Sequence, residues 1–434
     1  MSKKSSIVLL SILVAVLLFV GVCSLLPDDL AYGKYEEYHA AVNLITKGID
    51  LGDSKYAVLT LDQGDLSDED YATIQKGIVK TAQKRLAKLG VNSYSLKWEG
   101  EDLTVTVPDD GRTTSVFGCV EALGEFDFFS GSTYSETGAF ITNEHITRAS
   151  KQRYSYQDQS LWILTFHLNA EGKEEVKSYR TISSLYMTVD NDENGMQQFS
   201  CAITEDSVQI YLAADEESTA NLYIALIAGG SYLQYAPEVE EGEEAYEIEL
   251  IQIDNDDATP SFANGWLICS IALAVVLVAV CAVLCVRYGV LGGATTLSIY
   301  TALLAGLLFS AFVYFNALTV WSFVALLVVI AVIAYLSIDS FANIQANYAT
   351  GKTVKAAVAT GFNKSIVKNL IVNGALAVLG VILWVIPTVT AFIGIVFVYG
   401  AILSVAATLG LNRLFVALLY PIHEENNAKY GLSK

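Results

Sequence analysis

Six stretches of this chain are apolar for about the 20 residues that an α-helix needs to cross a bilayer. They cover 7–26, 265–286, 293–315, 320–340, 370–387 and 389–411. One stands alone, a long gap follows, and five come in a block. A mean hydropathy of +0.43 with only 17% charged residues fits a membrane protein. The first run follows Lys3 and Lys4, as the apolar core of a signal peptide would. It is too long for such a core and no A-x-A site follows it, so an uncleaved anchor is expected. Val-Gly-Val before Cys23 makes a poor lipoprotein signal.

Charge then orients the runs. Residues 27–263 hold 43 acidic and 16 basic residues, a net of −27, and the remainder of the chain is net +7. The ten basic residues outside the gap are Lys3, Lys4, Arg287, Lys352, Lys355, Lys364, Lys368, Arg413, Lys429 and Lys434. With six spans they all fall on one side, which the positive-inside rule makes cytoplasmic. Both termini are therefore expected inside and the acidic domain extracytoplasmic. A domain of that charge repels phosphates, which disfavours nucleic-acid binding.

Within the gap, strands are expected at 56–62, 92–98, 103–107 and 125–129, with helices at 68–89 and 113–123. The order βαββαβ is that of a ferredoxin-like split unit. Asp68 and Glu69 open the first helix and Lys84, Arg85 and Lys88 close it, as the macrodipole favours. A second α+β unit should follow, with helices at 143–151, 171–179 and 216–228 and strands at 161–168, 185–189, 208–212 and 231–235. The acid-rich stretch that ends it reads as a solvated connector, with a cation site as the sharper alternative. The expected divisions are a 1–26 anchor, a 27–130 ferredoxin-like base, a 131–240 α+β unit, a 241–263 acidic linker, a 264–415 five-helix block and a 416–434 tail. An oxidising compartment permits a Cys119–Cys201 disulfide, and two buried free thiols are the preferred alternative.

No enzyme chemistry is legible. His39, His145, His167 and His423 lack metal-ligand spacing, there is no G-x-S-x-G, and neither a cofactor nor a metal is expected. Gly351-Lys352-Thr353 resembles the end of a P-loop, but Ala346 stands where the motif needs its first glycine, and a membrane helix precedes it instead of a strand. A cytoplasmic loop and an amphipathic helix are expected there, with Lys352, Lys355, Lys364 and Lys368 facing the inner leaflet. Asp339, at the end of the fourth run, is either a proton or ion group or a wet residue at the membrane edge.

These stretches, taken in order, resemble the SecD family, the accessory subunit of the bacterial Sec preprotein translocase. Gly351 to Ala357 with Gly361-Phe362 is similar to its cytoplasmic "GKSVRAAI…GF" loop. Gln83 to Val91, Glu99 to Asp102 and Val105 to Pro108 resemble "R…LGV…EGDDRIVVQLPG". Ile141-Thr142 to Ala149, Phe166 to Gly172 with Thr181, and Arg287-Tyr288-Gly289 are similar to further family segments.

The resemblance implies an α-helical membrane protein with six transmembrane helices in an RND/SecD-like half-bundle and an extracytoplasmic α+β domain. It implies a SecF-like subunit and the SecYEG channel as partners, unfolded preprotein as substrate, and a proton-driven late step of export. The proton site does not transfer. The family's fourth-helix Asp in "DANV" falls on Tyr335, and its fifth-helix "D.N.TT" falls on Ile371, Asn373 and Ala375-Leu376. Asp339 lies one turn from Tyr335 on the same face, about 6 Å further along. Asn369 and Asn373 form an i, i+4 pair beside Lys368. Asp339 with Asn369, Asn373 or Lys368 makes either a displaced relay or structural bonding in a subunit without proton coupling, and the lost acids favour the second. The rival readings are an RND-type transporter of lipid or small molecules and a membrane-anchored scaffold.

Overall fold

The computed structural model describes residues 3–25, 31–32, 36–37, 41, 44–132, 138–156, 159–190, 192, 195–237, 246, 248–260, 262, 264–312, 317–386 and 390–423. They form two compact units, Met1–Gly52 with Pro260–Lys434, and Asp53–Thr259. The chain opens with α1 (Lys3–Leu25) and the paired two-residue strands β1 (Ala31–Tyr32) and β2 (Glu36–Glu37). Then come β3 (Ser54–Thr60), α2 (Asp68–Lys88), β4 (Ser95–Glu99), β5 (Asp102–Pro108), α3 (Thr113–Glu121) and β6 (Phe126–Phe129). Next are β7 (Ile146–Tyr156), β8 (Gln159–Leu168), α4 (Ala170–Glu175), β9 (Ser184–Val189), β10 (Gln197–Ile203), β11 (Ser207–Ala213), α5 (Glu217–Gly229) and β12 (Ile251–Ala258). The chain returns through α6 (Gly265–Tyr288), α7 (Val290–Phe312), α8 (Val320–Ala349), α9 (Val354–Val385), α10 (Thr390–Val405) and α11 (Asn412–His423).

In the first unit, α1, α6, α7, α8, α9 and the joined α10–α11 are long and apolar enough to cross a membrane, and the chain is a multi-pass membrane protein. α1 and α6 turn apolar side chains outward, with Val278 68% and Val286 89% exposed. Such surface needs lipid around it. α8, α9 and α10 form the packed centre around Val329, Ile333, Phe341, Leu376 and Phe397. Gly380 and Gly394 let α9 and α10 approach closely. A Cβ on Gly394 would lie 2.4 Å from the Trp384 nitrogen, and one on Gly380 2.8 Å from the Gly394 carbonyl. Small residues at such crossings are the usual route to close packing in lipid.

The expected loop is a short turn, and the expected amphipathic helix is the first part of a membrane helix. α9 begins at Val354, capped by the Thr353 side chain, and runs unbroken to Val385. The turn between α8 and α9 is only a few residues long. Gly351 there has φ +89, a left-handed conformation that favours glycine.

Residues 44–52 belong to the membrane unit, not to the base expected from 27 onward. Gly48 N donates to Leu318 O at 2.8 Å and Leu318 N to Thr46 O at 2.8 Å. Asp50 Oδ2 accepts from Val320 N at 2.8 Å, at the start of α8. Burial raises the Asp50 carboxyl above the usual range, and the Val320 N–H opposes that in part.

The second unit contains two antiparallel sheets. The smaller has the order β12-β3-β5-β4, with α2 and α3 on one face. Strand β5 lies between β3 and β4, so the split βαβ arrangement is present. Its fourth strand differs from expectation. The 125–129 segment leaves for the other sheet as β6, and β12 takes its place against β3. The acidic linker is therefore partly strand. The larger sheet has the order β6-β9-β10-β11-β8-β7. Its core packs Phe126, Phe166, Leu185 and Ile210 against Ala220, Tyr223 and Ile224 of α5. The expected helix at 143–151 is a short 3-10 turn, Asn143–His145, running into edge strand β7, and the expected strand at 231–235 is a 3-10 turn, Tyr232–Tyr235. Strand β10 was not legible at all. Cys119 and Cys201 are free and buried.

A buried cation ties the two sheets' helices together. Arg85 is fully buried. Its Nη1 donates to Cys119 O at 2.9 Å and to Ala122 O, and its Nη2 to Leu123 O at 2.8 Å and Gly230 O at 2.7 Å. Those acceptors lie at the C-terminal ends of α3 and α5, where the helix dipoles favour a positive charge. The Tyr232 ring lies 4.3 Å from the guanidinium. The same turn is held from its other side. Asp190, at φ +58, accepts from the backbone N–H groups of Leu123, Gly124 and Glu125 at 2.9, 2.6 and 2.9 Å. Burial pushes the neighbouring Cys119 thiol up to about 12, with Arg85 pulling the other way. Arg85 lies in the last turn of α2, as expected, and faces inward.

Candidate functional site

The candidate residues lie where α8 and α9 pass each other near the basic end of the bundle. Both helices run well beyond the roughly 20 residues a bilayer requires, at 30 and 32 residues. Their ends therefore reach a wetter zone where polar side chains are tolerated.

Lys368 Nζ lies 2.5 Å from Asp339 Oδ1 and 4.8 Å from the centre of the Tyr335 ring. The acid and the base come from different helices, so the pair is an interhelical tie with no net charge. Asn343, one turn beyond Asp339, donates to Asp339 O at 3.1 Å and to Ser365 Oγ at 3.2 Å. This cluster lies at the flank of the bundle, with Tyr335 52% exposed.

Asn369 follows Lys368 in sequence but is displaced about 100° around the helix and faces the core. Its Nδ2 donates to Thr408 Oγ1 at 2.6 Å. Asn373 Nδ2 donates to Asn369 Oδ1 at 2.9 Å. Thr408 lies in a π-helical turn, Ala406–Leu411, that joins α10 to α11, and its hydroxyl donates to Ser404 O at 2.6 Å. Such turns widen a helix locally and recur at functional sites. At the end of that turn, Asn412 Nδ2 donates to Thr295 Oγ1 at 3.1 Å and to Ser337 Oγ at 3.4 Å, joining α7 and α8. Asn373 Oδ1 and Ser404 Oγ are buried without a partner among the described residues.

Of the five candidates, Asp339, Lys368 and Tyr335 form one cluster, and Asn369 with Asn373 forms another. Asp339 is bonded to Lys368 and not to either asparagine. Thr408, Asn412, Thr295, Ser337, Asn343 and Ser365 were missed. Asn343 with Asn347, and Thr408 with Asn412, stand at i, i+4 spacing, the signal that singled out Asn369 and Asn373. Among the described residues there is no group of three His, Cys, Asp or Glu that could hold a metal ion.

No family model and no curated protein sequence matches the chain. Solved structures do. SecDF in its super-membrane-facing form superposes with a TM-score of 0.66 at 15% identity, over 95% of this chain and 57% of that one. SecDF of Thermus thermophilus, described as a translocon-associated membrane protein, matches at 16% identity over 94% of this chain and 58% of that one. Its TM-score of 0.43 is too low to carry an argument. The chain spans a little over half the length of the SecDF chains it matches. It has the SecDF fold, six membrane helices with a ferredoxin-containing α+β unit between the first and second.

Proposed function

We propose that this chain is a SecD-like subunit that assists a late stage of protein export at the bacterial cytoplasmic membrane. The observation that carries the reading is the likeness to SecDF along 95% of the chain, which coincides with the SecD-like residues around Gly351. The α+β unit would face outward, since the positive-inside rule sets the basic end of the bundle in the cytoplasm. There it would hold unfolded preprotein emerging from a SecYEG channel. The chain matches little more than half of SecDF, so a SecF-like subunit would supply the remainder. The role is mechanical and requires neither bond-making chemistry nor a cofactor.

The Asp339–Lys368 pair acts in this reading as a tie between α8 and α9 and not as a proton carrier. Both partners are already engaged, and the asparagines beside them are bonded elsewhere. The test is a secretion assay in cells lacking the native chain, with and without a proton gradient. Asp339→Asn should restore gradient-stimulated secretion to near the wild-type level. Loss of that stimulation with normal assembly would make Asp339 the proton carrier instead.

A further inference from the structure

The arginine near the start of α11 has a bonding edge that no described residue fills. Arg413 is the second residue of α11, just beyond the apolar run that ends at Leu411. Asn412 turns toward Thr295 and Ser337, whereas Arg413 turns toward α9, its Cζ 5.5 Å from the centre of the Phe362 ring. Its Nε and Nη2 are both buried and meet no acceptor among the described residues. A guanidinium cannot shed its charge, so these donors stay positive and need an oxygen. Nε–H and the near Nη2–H lie parallel on one edge of the planar group, the edge that grips two oxygens of a phosphate or carboxylate at once.

The chain offers little to fill it. Asp339 is taken by Lys368. Asp50 packs at the opposite end of α8. After residue 263 the sequence holds only Asp339, Glu424 and Glu425 as acids, and the last two lie outside the described residues. The surroundings are basic as well. Lys355 and Lys364 at the start of α9 are exposed and make no ion pair among the described residues. A membrane surface carrying anionic lipid is drawn to such a cluster.

We propose that Arg413 is the anchor of a site for the phosphate of an anionic phospholipid in the leaflet at the basic end of the bundle. The Nε and Nη2 edge, closed over by the packed bundle, would turn outward to hold two phosphate oxygens, Phe362 would back the guanidinium, and Lys355 and Lys364 would raise the local lipid concentration. The inference rests on the proposed orientation only for naming that leaflet cytoplasmic, and it is independent of any export role.

The test uses the full chain in a neutral detergent, titrated with short-chain phosphatidylglycerol, with phosphatidylcholine and with inorganic phosphate in parallel. Thermal midpoint and lipid retained in native mass spectrometry are read together. Phosphatidylglycerol should stabilise the wild type and remain bound, and phosphatidylcholine and inorganic phosphate should do neither. Arg413→Gln should weaken the apparent phosphatidylglycerol affinity by about tenfold, and Arg413→Lys, which keeps the charge but not the fork, by about threefold. Lys364→Gln should change it by less than about twofold. The Lys variant keeps the test decisive if the Gln variant does not fold. Wild-type affinity in both Arg413 variants would overturn the proposal. So would equal protection by inorganic phosphate, which would mean a soluble anion, or a several-fold gain in affinity in Glu424→Gln/Glu425→Gln, which would mean the edge is filled by the chain's own carboxylates. Any of these results would leave the export reading standing.

Discussion

Two buried polar centres hold this molecule, and they are built on different terms. In the α+β unit a single charge, Arg85, gathers four carbonyls from the ends of two helices, and Asp190 takes three N–H groups of the turn from α3 into β6. In the membrane unit Asn369 bonds Thr408 and Asn412 bonds Thr295, each joining one helix to another, and Asn373 bonds Asn369 one turn away on α9. The unfolded α+β unit would surrender Arg85 to water, so its native bonds must replace full hydration. A helix already in the membrane loses no such hydration when it packs, and its polar groups find substitutes if a partner is removed. A buried charge whose loss strands several carbonyls should therefore matter far more than an amide whose partner can be replaced.

Breaking the comparison at its strong end comes first. Arg85→Met strips a donor from four carbonyls, of which Leu123 O keeps the Tyr232 N–H, and should lower the stability of the α+β unit by about 3–5 kcal/mol, as removal of one partner from a buried charged centre does. Urea unfolding followed through Trp98 and Trp162 measures it. A loss under about 1 kcal/mol would mean that water reaches the site and that the bonds are replaceable. Asp190→Ala should follow, at about 1–3 kcal/mol, since it strips the acceptor from three N–H groups. Asp190→Gly, which keeps the left-handed backbone but not the carboxylate, separates backbone strain from bonding, and a full recovery would assign the effect to strain.

The membrane centre sharpens the contrast from below. Thr408→Val removes the acceptor of Asn369 and should lower bundle stability by only about 0.6 kcal/mol, at most about 1.7. Denaturant titration in mixed micelles would show it, and a loss as large as that of Arg85→Met would erase the distinction. The smallest effect is at Asp50. Burial holds its folded value above the ordinary carboxylate range, so its contribution to stability is fully present below the unfolded value and fades as pH rises through the folded one. Asp50→Asn should flatten that slope. A wild-type thermal midpoint that climbs with pH relative to Asp50→Asn would reverse the sign of the argument.

Legibility in the sequence divides along similar lines. The membrane helices could be read because crossing a bilayer demands length and hydropathy, and the −27 gap set the α+β unit apart. β12 was missed because Asp254, Asp256 and Asp257 make an edge strand look like a solvated linker, and β7 because Arg148, Lys151 and Arg153 break the apolar alternation. Both are edges, where charge guards against unwanted pairing. Arg85 was read as a charge at the end of a helix, since nothing local announces that the carbonyls it binds lie from 34 to 145 residues away. Asp339, Lys368, Asn369 and Asn373 could be named from sequence, but their grouping could not. Two successive residues on α9 point to different sides, and Thr408 is 39 residues from Asn369.

The export reading itself is most directly tested by the company this chain keeps. The measurement is gentle detergent extraction from its native membrane, purification through a tag on the chain, and identification of what remains bound. The account predicts a SecF-like chain in near-equal amount together with components of a SecY-type channel. Recovery of the chain alone, or with an unrelated transporter assembly, would contradict it and leave the SecDF fold serving another purpose.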